Sequence, residues 1–174
     1  MKKVRISVRE TVIFAMLGTL MFTSKLIIDA APNIHLIGMF TVTFTAVYRT
    51  KALIPIYIFV FLTGLYGGFG LWWVPYIYIW TVLWAATMLV PKNLSPKIKY
   101  PVLTVICALH GLLYGVLYAP FQALAFGFNF KTTIAWISAG FWFDILHCTG
   151  NLFASILILP LSKLLIRLNF KRTF

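Results

Sequence analysis

Residues 101–126 read PVLTVICALHGLLYGVLYAPFQALAF, a run without any lysine, arginine, aspartate or glutamate. About 20 consecutive apolar residues are enough to carry a helix across a bilayer, and several other runs of the chain reach or exceed that length. Of the 174 residues, 61% are hydrophobic and only 10% are charged, whereas soluble domains carry about a quarter charged residues. The sequence therefore predicts an all-α integral membrane protein.

Outward from that run, the hydropathy pattern predicts a six-transmembrane-helix bundle in a single domain that covers residues 1–174. The second and third helices are short, which predicts tilt, kinks or partial burial. Residues 132–140 either extend the last helix or form an interfacial segment, because periodicity does not distinguish the two. The predicted helices are 11–30, 34–48, 52–67, 71–90, 101–126 and 141–163.

The basic residues lie at the ends of these predicted helices. Of the 15 lysines and arginines, all but Lys25 and Lys131 precede the first helix, follow the sixth, or lie in the loops after the second and fourth. Those segments share one side of a six-helix bundle, so the positive-inside bias places both termini in the cytoplasm. We therefore interpret the formal charge of +12 as a topology signal of a multi-pass bacterial cell-membrane protein, not as a nucleic-acid-binding surface.

Several activities lack the residues that they need. No GxxxxGK[ST] pattern is present, so the chain is not expected to hydrolyse ATP by itself. Cys107 and Cys148 are expected to be packing residues rather than a disulfide or a metal site. The basic start MKKVRISVRE leads into a transmembrane-length run without a cleavage pattern, so no cleaved signal peptide is expected. We expect no catalytic residues, no metal and no cofactor.

One short stretch, GFWFDILHCTGN (140–151), brings three polar residues together in apolar surroundings. Asp144, His147 and Asn151 are spaced i, i+3 and i+7, which puts them on one face of a helix. Ionisable groups inside a membrane are costly and are therefore functional candidates. Two interpretations stay open: the three line a ligand cavity that opens outward, or they join neighbouring helices by hydrogen bonds. Catalysis is not expected, because no nucleophile is suitably spaced.

Aromatic residues form a second group, in LWWVPYIYIWTVLW (71–84). Tryptophan and tyrosine usually collect at membrane interfaces, but Trp80 and Trp84 lie too deep for that position. Deep aromatics with polar tips suit stacking against a flat heterocyclic ligand, although core packing explains Trp84 equally well. Trp136 and Trp142 are expected to join them from the last helix. The stripe at helical spacing consists of Trp73, Tyr76, Trp80 and Trp84.

Three ionisable residues lie outside these groups. His110, in the fifth predicted helix, is either a ligand contact or a packed histidine. Lys25 and Asp29 are four residues apart and are expected to form an ion pair at the outer end of the first helix. A role for that pair in gating a pocket is the alternative.

The first predicted helix contains small residues in FAMLGTLM (14–21). Ala15, Gly18 and Thr19 allow another helix to approach closely. That helix belongs either to the same chain or to a partner, and the spacing alone does not decide between them.

Taken together, APNI (31–34), RTKALIPIYIFVFLTGLYGGFGLWWVPYIYIW (49–80) and FDILHCTGN (143–151) resemble the substrate-binding S components of energy-coupling factor (ECF) transporters. The resemblance covers nearly the whole chain, since its size, predicted helices, predicted topology and basic loops also fit. The subgroup that it resembles is associated with the uptake of cobalamin or queuosine precursors.

The resemblance implies a subunit that binds a vitamin or related micronutrient, docks on a transmembrane scaffold with two cytoplasmic ATPases, and topples to release the ligand inside. It implies that a small-xxx-small motif of the first helix contacts the scaffold; Ala15 and Thr19 match it, with Gly18 adjacent and threonine in place of the usual alanine. It also implies a pocket in the outer halves of helices four to six. The expected ligand-binding residues are Trp73, Tyr76, Trp80, His110, Trp142, Asp144, His147 and Asn151.

Two other classes of protein stay open. A self-sufficient carrier or channel would use Asp144, His147 and Asp29 to relay protons or bind a cation, although no internal repeat is visible. A membrane enzyme or assembly factor would need a catalytic arrangement that the sequence lacks. Aromatics with one carboxylate favour a planar heterocycle as ligand, such as a thiamine-like or deazapurine compound, whereas cobalamin would have to rest in the outer loops.

Overall fold

The computed structural model describes residues 6–28 and 34–170. Within these ranges the chain is helical and contains no strand. Its α-helices are α1 (Val8–Ile27), α2 (Ile37–Tyr48), α3 (Leu53–Gly67), α4 (Tyr76–Met88), α5 (Pro96–Leu112), α6 (Tyr114–Phe126), α7 (Phe130–Ala154) and α8 (Ile158–Phe170). Three short 3₁₀ turns lie between them, at Arg49–Ala52, Leu71–Trp73 and Ser155–Leu157.

Four helical segments of the described ranges are long and apolar enough to cross a membrane, and α4 is a shorter apolar helix. The prediction of an all-α membrane protein is therefore confirmed at this level, while the count of six passes stays a prediction. The four segments are Val8–Ile27, Ile37–Gly67, Pro96–Phe126 and Phe130–Asn169.

Polar caps fix the starts of two helices. The side chain of Ser7 accepts a hydrogen bond from the backbone N–H of Glu10, whose carboxylate accepts one from the Ser7 backbone. This capping box satisfies two N–H groups that the first turn of a helix leaves free. Asn129 caps α7 in a similar way, so the helix begins at Phe130. Residues 132–140 therefore belong to α7, the helix that contains Asp144, and do not form a separate interfacial segment.

Aromatic contacts show the direction of α3. Phe14, early in α1, meets Tyr48 just before the turn that leads into α3, with ring centroids 5.1 Å apart. Phe22, late in α1, meets Tyr66 near the end of α3 at 5.8 Å. α1 and α3 therefore run in the same direction. α2, which lies between them in the sequence, returns the chain to the end where α1 began.

The turn between α2 and α3 is tied to α4 by Arg49. Its backbone has φ 57° and ψ −123°, in the left-handed half of conformational space that favours glycine. Its guanidinium donates to the carbonyl oxygens of Met88 and Val90 at the end of α4, and its own carbonyl accepts from Trp84 Nε1 at 3.1 Å. A cation at the C-terminal end of a helix is also favoured by the helix dipole.

The start of α1 and the end of α8 meet. Arg9 donates to the carbonyl oxygen of Leu168 at 2.8 Å, and Glu10 forms an ion pair with Lys51 of the α2–α3 turn. These contacts gather the start of α1, that turn and the end of α8 at one end of the molecule. We call it the basic end, because it carries Arg9, Arg49, Lys51 and Arg167.

The α5–α6 segment runs antiparallel to α7 and packs closely on it. Asn151 Nδ2 donates to the carbonyl oxygen of Cys107 at 2.9 Å, and the Gly115 N–H donates to Asp144 Oδ1 at 3.0 Å. Between these bonds lies Gly111, where a Cβ atom would be 2.8 Å from a backbone nitrogen of α7. Because backbone cannot move aside as a flexible side chain does, this contact requires glycine.

We expect Gly111→Ala to destabilise the protein by about 1–3 kcal/mol, the cost of overpacking a close contact. Gly140→Ala is the matched control, since a Cβ there meets no atom within 4 Å and alanine favours a helix interior over glycine by about 1 kcal/mol. Thermal unfolding of the purified protein in detergent measures both changes. Equal unfolding temperatures for the two variants would contradict the close α5–α7 contact.

Candidate functional site

All three histidines of the chain converge on one tryptophan and one tyrosine. Their side chains come from different parts of the fold: His35 precedes α2, Trp80 lies in α4, His110 lies in the last turn of α5, Tyr114 begins α6 and His147 lies in α7. We call these five residues the histidine cluster. Helices that are far apart in the sequence thus present their imidazole, indole and phenol rings to one another.

The ring centroids of the cluster are close in every direction. His147 lies 4.5 Å from His35, 4.7 Å from Tyr114 and 6.5 Å from His110. Trp80 lies 5.7 Å from His35, 5.6 Å from His110 and 6.0 Å from Tyr114. Edge-to-face and tilted arrangements at these separations are favourable aromatic contacts.

Polar atoms of the cluster are buried without hydrogen-bond partners. They are Nδ1 of His35, Nδ1 of His110, both ring nitrogens of His147 and Nε1 of Trp80. His147 and Trp80 are each only 1% exposed. A buried polar group without a partner costs about 1–3 kcal/mol, and native proteins satisfy nearly all such groups with protein, water or ligand. Water or a bound ligand would satisfy these atoms, which makes the cluster a candidate binding site.

One hydrogen bond fixes the tautomer of His110. Its Nε2 lies 3.1 Å from the carbonyl oxygen of Ile79, and a carbonyl oxygen only accepts hydrogen bonds. Nε2 therefore carries a proton, and in the neutral form of the ring Nδ1 is an acceptor. Trp80 Nε1, in contrast, can only donate.

Asp144 is buried on the same face of α7 as His147, as their spacing predicts. Its Oδ1 accepts from the Gly115 N–H at the start of α6, where the helix is interrupted at Leu113. A carboxylate at a helix N-terminus satisfies a free N–H and is favoured by the helix dipole. Its second oxygen, Oδ2, is buried without a partner, so Asp144 combines a structural bond with one free acceptor.

Asn151 joins three helices. Its Nδ2 donates to the carbonyl oxygen of Cys107 in α5. Its Oδ1 lies so near α2 that a Cβ at Gly38 would be 2.7 Å away. Asn151 thus bridges helices through Nδ2, whereas its Oδ1 is buried without a hydrogen-bond partner.

The other predicted ligand contacts are Tyr76, Trp73 and Trp142. Tyr76 packs against Trp80 with centroids 5.9 Å apart. Trp73 lies in the 3₁₀ turn before α4, and its Nε1 donates to the carbonyl oxygen of Val60 at 2.8 Å. Trp142 is 64% exposed and lies outside the cluster. Two residues correspond to about 200° around a helix, so Trp142 faces away from Asp144.

The small residues of α1 also divide. Ala15 and Thr19 are exposed on one side of the helix, where the Thr19 hydroxyl donates to the Ala15 carbonyl oxygen at 2.9 Å. Gly18 is buried, and a Cβ there would lie 2.6 Å from the Ile58 side chain and 2.9 Å from the Pro55 carbonyl oxygen. Gly18 thus serves the contact between α1 and α3 and is not part of the exposed surface.

Sequence reasoning missed His35 and Tyr114. His35 has no periodic relation to α4, α5 or α7, so its position in the cluster depends on how the chain folds back before α2. A signal existed in the scarcity of histidine, since an apolar chain with only three histidines leaves little reason to exclude one of them. Tyr114 was detectable as the i+4 neighbour of His110.

Two predictions concern other residues of the site. Asp29 lies outside the described residues, so its pairing with Lys25 stays a prediction. Within 6–28 and 34–170, no group of three or more histidine, cysteine, aspartate or glutamate side chains has the geometry to hold a metal ion.

We expect Asp144→Ala to lower the free energy of unfolding by about 1–2 kcal/mol, the usual cost of losing a helix cap. Asp144→Asn retains an oxygen that accepts from the Gly115 N–H and should unfold close to the wild type. Thermal unfolding in detergent distinguishes the two. If both variants unfolded alike, the bond to Gly115 would have no structural role.

No protein-family model, no curated protein and no solved structure matches this chain.

Proposed function

We propose that the chain is the membrane-embedded substrate-binding subunit, or S component, of an ECF-type ATP-driven importer of a vitamin or related micronutrient. The observation that carries the proposal is the set of buried, unpartnered nitrogens in the histidine cluster. A protein of membrane-spanning helices gains nothing structural from leaving such atoms unpaired, whereas a ligand would satisfy them. In this proposal the subunit binds its ligand without transforming it.

The chemistry of the cluster favours a planar heterocycle with N–H groups. Rings surround the site, and flat ligands stack well against them. His110 Nδ1 and the free oxygen of Asp144 are acceptors, whereas Trp80 Nε1 is a donor. A ligand with several N–H donors and at least one acceptor complements that set. Deazapurine queuosine precursors and thiamine-like compounds fit this description.

The proposed topology has six passes with both termini in the cytoplasm. Two observations support it: the start of α1 contacts the end of α8, and Arg9, Arg49 and Lys51 gather at that end with the α2–α3 turn. The positive-inside bias then assigns the basic end to the cytoplasmic side of the bacterial cell membrane.

The proposed docking surface for the scaffold subunit is the exposed side of α1 around Ala15 and Thr19. Small residues on a lipid-facing surface let a second helix approach closely. Gly18 is excluded from this surface because it packs against α3. Transport energy would come from the two ATPase subunits attached to that scaffold, since the chain has no phosphate-binding loop.

A second candidate function is a self-sufficient carrier or channel. The observation that favours it is the succession of imidazoles, with His35 4.5 Å and His110 6.5 Å from His147. Histidines at such separations, with Asp144 one turn away, suit a proton relay within a membrane. The two functions differ in whether this chain moves solute without partners.

We expect His147→Phe to reduce the amount of small molecule that co-purifies with the protein by about tenfold or more. Phenylalanine preserves a ring but removes both nitrogens, and a lost buried hydrogen bond costs about 1–3 kcal/mol. Native mass spectrometry of the detergent-purified protein measures ligand occupancy. Trp142→Phe is the matched control, because Trp142 lies outside the cluster. Undiminished occupancy in the His147 variant would overturn the assignment of the site.

We expect Ala15→Leu to abolish most ATP-dependent uptake by the assembled importer while leaving ligand occupancy unchanged, because the larger side chain keeps the scaffold helix at a distance. Ala139→Leu, at an exposed alanine of α7, should affect neither. Uptake is measured in proteoliposomes with radiolabelled ligand. Uptake by liposomes that contain only this chain would instead favour the carrier.

A further inference from the structure

A groove runs between α1 and α8 at the basic end. It encloses about 690 Å³, and its walls are almost entirely apolar, with two arginines among the lining residues. On α1 the walls include Val12, Met16 and Leu17; on α8 they include Leu165 and Leu168. No residue of the histidine cluster lines this groove, which adjoins the proposed docking surface because Met16 follows Ala15 in α1.

The groove faces the surroundings of the protein rather than its core. Val12 is 54% exposed and Met16 67% exposed, although both belong to a helix apolar enough to cross a membrane. The hydrocarbon region of a bilayer contains no water, so acyl chains cover such a surface there. The apolar walls therefore specify the hydrocarbon part of an occupant.

Arg9 and Arg167 specify its polar part. Both line the groove, and the bond from Arg9 to the Leu168 carbonyl oxygen holds its guanidinium in place. Among the described residues, no acidic side chain pairs with Arg167. The nearby carboxylate of Glu10 is engaged by Lys51 and by the Ser7 cap. The charge at the groove thus remains positive and complements an anion.

We propose that the groove is a binding site for one anionic phospholipid, with an acyl chain between α1 and α8 and the headgroup phosphate on Arg9 and Arg167. Guanidinium groups bind phosphate through charge-assisted, often bidentate hydrogen bonds. Juxtamembrane arginines also attract anionic lipids through the surface potential of the membrane. The combination of a guanidinium pair with an apolar groove distinguishes this site from the general positive charge of the basic end.

The experiment reconstitutes the purified chain in nanodiscs of equimolar phosphatidylcholine and phosphatidylglycerol and counts retained lipids by native mass spectrometry after release into mild detergent. We expect phosphatidylglycerol to be retained in preference to phosphatidylcholine. Arg167→Gln should lower that preference about tenfold, the effect of losing one charge-assisted bond. Lys131→Gln is the control: it removes the same charge from the first turn of α7, far from the groove.

Met16→Trp tests the apolar part, because it fills the groove without changing any charge. We expect it to abolish lipid retention, whereas Phe61→Trp, at an exposed aromatic residue of α3, should leave retention intact. Excess inorganic phosphate should not displace the lipid, since phosphate alone lacks the acyl chain. Equal retention of both lipids, equal effects of Arg167→Gln and Lys131→Gln, unchanged retention in Met16→Trp, or displacement by phosphate would each overturn the proposal.

Discussion

The contact between the α5–α6 segment and α7 determines where the polar residues of this protein lie. Asn151 bonds to Cys107, Asp144 bonds to Gly115, and Gly111 brings the two backbones together between those bonds. With both ends fixed, the register of the pair cannot slide, and His110 and His147 must face the same interior space. The cluster is completed around this pair by His35 before α2, Trp80 of α4 and Tyr114 of α6. The site is therefore a product of helix register rather than of any single loop.

Sequence reasoning was sound where helix geometry alone decides the outcome. Composition gave the all-helical membrane class, and the spacing of Asp144, His147 and Asn151 correctly placed them on one buried face. The same geometry, applied to Trp142, would have shown that it faces away. His35 could not be placed, because its neighbours are more than a helix away in the sequence and only the tertiary fold joins them. Nor could spacing reveal that Gly18 packs inward while Ala15 and Thr19 face outward.

Two kinds of polar residue coexist in the interior. Asn151 and Asp144 form bonds between helices, so part of their burial cost is offset by the bonds themselves. The unpartnered nitrogens of His35, His147 and Trp80 have no hydrogen bond within the described residues that would offset the cost of their burial. A ligand that satisfied these nitrogens would stabilise the folded state by an amount that grows with the logarithm of its concentration relative to its Kd. The free energy of unfolding would therefore also report how much of the protein has ligand bound.

Arg49 combines two demands that no single amino acid meets well. Its backbone conformation is one that glycine adopts freely, yet its guanidinium is what holds the final carbonyl groups of α4. Glycine at this position would relieve the backbone strain of the turn but would lose the hydrogen bonds to α4. Most other residues would keep the strain and also lose these bonds. Lysine could still donate to a carbonyl oxygen, but it lacks the planar guanidinium that binds two of them. Arg49 thus adopts an unfavourable backbone conformation while its side chain attaches α4 to the α2–α3 turn. Any substitution of Arg49 is therefore expected to loosen the attachment of α4 to the α2–α3 turn.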